Sequence, residues 1–75
     1  MRRKRVESEA LRGVGYDAIR RVLEIEFHSG EVYRYFDVPG SVHAGLMGAE
    51  SHGEYFNDHI RDRFEYAHLD PDRPD

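Results

Sequence analysis

The sequence predicts a small α+β domain, a meander of about three antiparallel strands packed against two helices. Three observations lead there. Residues 21–27 and 31–36 alternate apolar and polar side chains around a glycine turn. Ser51-His52-Gly53-Glu54 has the spacing of a helix start, and strands precede helices along the chain.

Residues 1–9 are polar and charged and are expected to form a flexible basic arm. Gly13 to Asp17 is a short strand candidate, weakened by two glycines. From Arg21 to Phe27, Leu23, Ile25 and Phe27 point one way and Glu24 and Glu26 the other, which is the period of a half-buried strand. His28-Ser29-Gly30 supplies the turn, and Glu31 to Phe36 returns. A three-residue loop with Gly30 in the left-handed conformation pairs Phe27 with Glu31, Ile25 with Tyr33 and Leu23 with Tyr35. It also sets Glu24 across from Arg34. Val32 and Phe36 then share the acids' face, so that face is expected to be partly covered.

Val38-Pro39-Gly40-Ser41 ends the sheet and opens a helix, with Pro39 suited to its first turn. Val42, Leu46 and Ala49 follow at helical spacing, and Gly45 and Gly48 keep this helix dependent on packing. In the second helix Phe56, Ile60 and Phe64 fall four apart and form an apolar stripe. Phe64 to His68 also fits a short extended stretch. Residues 10–69 make one domain, and residues 70–75, with two prolines and three aspartates, a disordered tail.

The residues assembled so far resemble the KTSC domain family. The match is carried by Ser8-x-x-Leu11, Gly15-Tyr16-Asp17, Leu23-Glu24-Ile25-Glu26-Phe27, Gly30-x-x-Tyr33-Arg34-Tyr35, Val38-Pro39 and Ser51-x-Gly53-x-Tyr55-Phe56-Asn57-x-x-Ile60-Arg61. The resemblance implies a small sheet flanked by helices, found in stand-alone bacterial and phage proteins and at the C-terminus of some lysyl-tRNA synthetases. It implies no activity. The family often has two consecutive serines near its start, whereas Glu9 follows Ser8 here.

Composition narrows the function. With 75 residues the core is too small for a deep enclosed site. No cysteine is available as ligand, nucleophile or disulfide. No apolar run approaches the ~20 residues that span a bilayer, and Glu7-Ser8-Glu9 stands where a signal peptide needs an apolar stretch. A cytoplasmic protein without a membrane partner is expected. The net charge of −4 is uneven: residues 1–5 carry four basic groups, and residues 6–69 sum to −6. Such a body repels a phosphate backbone, so nucleic-acid binding would fall to Arg2, Arg3, Lys4 and Arg5, with Arg61.

The side chains offer few reactive patterns. His28, His43, His52, His59 and His68 lack metal-ligand spacing, so no metal or cofactor is expected. Ser51, His52 and Asp58 are the residue types of a hydrolase triad, but no nucleophile elbow surrounds them, and Ser51 reads as a helix cap. Tyr33 and Tyr35, with Phe27 and Tyr16, are either a stacking platform or the core; in so short a chain the core has first claim. Asn57 and Arg61, four apart, share a helix face near Tyr55. The candidate contact residues are Tyr55, Asn57, Arg61 and Tyr16. The expected function is a non-enzymatic interaction or regulatory module with a protein partner, the alternative an RNA- or DNA-binding module. A short open sheet also has edges through which two copies can pair.

Overall fold

The computed structural model describes residues 2–69. Five antiparallel strands lie in chain order, β1 (Lys4–Arg5), β2 (Leu11–Asp17), β3 (Val22–Phe27), β4 (Val32–Tyr35) and β5 (Tyr66–Leu69). Helices α1 (Gly40–Gly48) and α2 (His52–His59) are inserted between β4 and β5. The α+β class and the two helices agree with the sequence, but three strands is too few. The first extra strand comes from residues 1–9, expected as an arm, where Lys4 and Arg5 pair with Val14 and Gly13. The second is β5, laid along β4 with Tyr66 opposite Tyr35. The tail expected over residues 70–75 lies outside the described residues.

The central hairpin has the register read from its loop. Leu23 is opposite Tyr35, Glu24 opposite Arg34 and Ile25 opposite Tyr33. Phe27 N–H donates to the Glu31 carbonyl at 2.9 Å, and Gly30, at φ +94°, supplies the left-handed residue. Strand β2 needs one irregularity. Leu11 is opposite Phe27 and Gly13 opposite Glu26, so Arg12 is an extra residue, a bulge. The bulge lets Leu11 and Val14, three apart, both face the core.

That face is covered by the helices. Leu46 of α1, Phe56 of α2 and Ile60 at its C-cap close onto Leu11, Val14, Leu23, Ile25, Tyr35 and Val38, all buried. Each fully buried aliphatic side chain stabilises the fold by about 1.5–3 kcal/mol before entropy is counted. The predicted stripe is cut short: α2 ends at His59, and the Phe56 carbonyl accepts from the N–H groups of both Ile60 and Arg61. Phe64 lies beyond the helix. Gly45 marks where the helices touch, because a Cβ there would overlap the Tyr55 ring.

The opposite face carries charge. Glu24, 1% exposed, is held by Arg34 at 2.8 Å and by Arg3, which also reaches Glu26 at 3.2 Å. Arg3 belongs to the N-terminal segment, so its side chain crosses β2 to reach β3. It crosses where Gly13 and Gly15 stand opposite Glu26 and Glu24. Two glycines that weaken the strand locally thus leave room for an ion-pair network. Among the described residues no helix is long and apolar enough to cross a membrane.

Candidate functional site

A groove of about 640 Å³ opens between the β3–β5 end of the sheet and α2. Phe27, Tyr33, Tyr35 and Tyr66 come from the sheet and Phe56 from the helix. The rings set one another's orientation. Phe27 meets Phe56 edge-on at 5.4 Å and Tyr33 at 5.7 Å, Tyr35 meets Phe56 edge-on at 5.6 Å, and His68 stacks on Tyr33 at 4.6 Å. Tyr35 is buried, Tyr33 half-buried and Tyr66 57% exposed. The aromatics therefore serve as core at their base and as groove wall at their outer end, where the sequence offered these as alternatives.

The polar rim includes Asn57, Arg61, Asp62, Glu9 and Glu31. Asn57 and Arg61 both line the groove, but not from one helix face as expected, because α2 ends at His59 and Arg61 lies in the turn after it. Neither side chain makes a hydrogen bond or ion pair among the described residues. Glu31 is near the Tyr33 hydroxyl, 3.4 Å, and the His68 ring, 3.6 Å. Burial, reinforced by Tyr33 and Tyr66, pushes the Tyr35 hydroxyl up to about 12, and burial with the Glu31 carboxylate also raises that of Tyr33. Both remain neutral at physiological pH and offer hydrogen bonds, not charge.

The other candidates are elsewhere. Tyr55, expected beside Asn57, turns to the far side of α2 against Gly45 and packs on His59 at 4.3 Å. Neighbours in a helix point about 100° apart, which sequence adjacency hides. Tyr16 anchors the start of α1: its hydroxyl donates to the Val38 carbonyl at 2.6 Å and its ring stacks on His43 at 4.6 Å. Burial lowers the His43 pKa. Tyr16 also borders a second hollow with Arg2, Arg20, Phe36 and Ile19, the last 95% exposed. Of the basic residues proposed for nucleic acid, Arg3 is committed to Glu24 and Glu26, while Lys4 and Arg5 form β1.

Two of the three triad residue types, Ser51 and His52, are engaged by backbone. Ser51 Oγ accepts from Glu54 N–H at 3.2 Å, capping α2, and His52 Nδ1 donates to the Leu46 carbonyl at 2.7 Å. His28 Nε2 likewise donates to the Ser8 carbonyl at 2.7 Å, and Ser8 Oγ accepts from Ala10 and Leu11 N–H. Sequence reasoning missed Tyr66, Glu9, Glu31 and Asp62 as groove residues. The alternation of Phe64 and Tyr66 was the one signal available.

The KTSC domain model matches residues 7–64, well over half of the chain. The chain belongs to the KTSC domain family. A crystal structure of a KTSC domain protein from Yersinia pestis superposes with a TM-score of 0.90 at 33% identity, covering 92% of this chain and 97% of that one. An uncharacterised protein of Stutzerimonas stutzeri is 46% identical over 57 residues, 76% of this chain and 80% of that protein. A lysine–tRNA ligase of Nostoc punctiforme is 40% identical over 63 residues, 84% of this chain but 11% of the ligase. The KTSC domain thus occurs both as most of a small protein and as a small part of a large one.

Proposed function

We propose that this KTSC domain is a non-enzymatic interaction or regulatory module of the cytoplasm, and that its partner is a protein held in the aromatic groove. The observation that carries the reading is the pairing of a ring-lined hollow with Arg61 and Asn57, two rim side chains that make no hydrogen bond or ion pair among the described residues. Rigid aromatic walls with an arginine at the rim are the usual anchor of protein recognition. The rim's carboxylates, Glu9, Glu31 and Asp62, outnumber Arg61 and oppose a phosphate backbone. The absence of cysteine fits a reducing compartment.

A second reading, an RNA- or DNA-binding module using the N-terminal basic residues and Arg61, draws support from the relatives named as lysine–tRNA ligases. The engagement of Arg3 by two glutamates weakens it.

A photo-crosslinking amino acid at position 57, compared with one at exposed Ala44 on α1, separates the two in the native cell. The protein reading expects a discrete protein adduct at position 57, absent at position 44 and lost with Arg61→Ala. Adducts to nucleic acid, or equal labelling at both positions, would sink it.

A further inference from the structure

We propose that the outer edge of β5 is a self-association surface, at which a second copy of this chain adds its own β5 in antiparallel register. The two edges of the sheet are built differently. β1 is two residues long and both are basic, which blocks edge pairing. β5 is Tyr66-Ala67-His68-Leu69, without lysine, arginine, carboxylate or proline in the strand. Charge, proline and a bulge, three of the usual protections, are absent from these four residues.

The backbone phase says what this edge presents. Phe36 N–H donates to the Glu65 carbonyl at 2.9 Å, and Tyr35 stands opposite Tyr66. Bonded and non-bonded pairs alternate along an antiparallel ladder. Ala67 and Leu69 therefore turn their N–H and C=O groups to β4, and Tyr66 and His68 turn theirs outward. A two-fold axis through Ala67 sets Tyr66 of one copy against His68 of the other and satisfies both pairs at once. This is the self-complementarity an isologous dimer requires.

The side chains agree with that axis. Tyr66 and His68 lie on the helix side of the sheet, so the exposed Tyr66 ring meets the other copy's imidazole, continuing the His68–Tyr33 stack. On the far side Ala67 meets Ala67, with neither bulk nor like charge. A foreign strand would need no such symmetry. A second copy is the occupant that matches the edge. Four residues bury little area, so the dimer belongs to the weak class of interfaces. Because Tyr66 also walls the groove, dimerisation would bring two grooves side by side.

Sedimentation equilibrium over about a hundredfold concentration range, centred on roughly 100 µM for so small an interface, should give a monomer–dimer equilibrium. Amide exchange by NMR over the same range should slow with concentration at Tyr66 and His68, while Ala67 and Leu69 stay protected throughout. His68→Pro removes an outward N–H and leaves the β4 bonds intact; it should return the chain to monomer with an unchanged circular dichroism spectrum. If that variant misfolds, His68→Lys, which restores a charged edge, should do the same. A monomer at every concentration, exchange independent of concentration, or a dimer surviving both variants overturns the proposal. Arg61→Ala should leave the dimer intact, which keeps this test separate from that of the groove.

Discussion

Glu24 faces Arg34 across the β3–β4 ladder with its carboxylate 2.8 Å from the guanidinium Nε, and Arg3 closes over it from beyond β2. The carboxylate is shut off from water, while each arginine keeps part of its side chain in solvent. Removing the acid takes away the carboxylate that the two guanidinium groups share, while Arg3 keeps Glu26. Glu24→Gln is expected to cost about 2 kcal/mol, below the figure for a fully buried pair because the arginines are partly hydrated. Urea unfolding measures it. Arg3→Ala should cost about half as much, since Arg34 remains.

Gly45 and Gly48 stand in the same helix and should respond in opposite directions. An alanine Cβ at position 45 overlaps the Tyr55 ring, which must leave its packing on His59. Gly45→Ala is expected to destabilise by about 1 kcal/mol even though alanine is the better helix former. At position 48 nothing lies within 4 Å, so Gly48→Ala should gain a few tenths of a kcal/mol, roughly half its propensity because it ends the helix. Thermal melts of the two variants, with Gly45→Ala/Tyr55→Ala to expose the coupling, decide it.

Stability should fall at both ends of the pH scale for identifiable reasons. Tyr35 ionises near 12 when folded and near 10 when unfolded, so the unfolded chain releases its proton first and stability drops from about pH 10 upward. Tyr35→Phe should flatten that limb. His43, held below its usual 6.5 by burial against Tyr16, is favoured neutral in the fold. Its contribution is present above about pH 6.5 and is lost as the pH falls through the folded value. Denaturant midpoints across pH, with His43→Phe as reference, test this limb.

Ser51→Ala removes the hydroxyl that accepts from Glu54 N–H and should cost about 1 kcal/mol, while capture of a partner at position 57 stays unchanged. A loss of partner binding in a folded Ser51→Ala chain would mean that the hydroxyl does more than cap.

The parts legible in the sequence were those that depend on near neighbours. Leu23, Ile25 and Phe27 alternate, and Gly30 fixes a loop whose length sets the register, so the hairpin and the Glu24–Arg34 pair followed from a dozen residues. Ser51 and Glu54 mark α2 in the same local way. β1 was hidden because two basic residues show no apolar period; what accompanies it is an ion pair to residues more than twenty positions away. β5 depends on Tyr33 and Tyr35 accepting Tyr66 and His68 as stacking neighbours, a relation that crosses both helices. The groove draws on four separate stretches of chain. Its α2-proximal rim, Asn57 and Arg61, and its ring wall, Phe27, Tyr33 and Tyr35, left a sequence signal, Tyr66 only a faint one, and the spacing argument misplaced Tyr55.

The bulge at Arg12 bears on how this family tolerates changes of length. One residue of β2 is surplus to the ladder: the strand can shed Arg12, at the cost of the carbonyl that accepts Val6 N–H, and still present Leu11 inward. A deletion between Val14 and Asp17 has no such slack and would turn everything upstream inside out. Gaps among related chains should therefore gather at this one position, and a scanning-deletion library should find its survivors there.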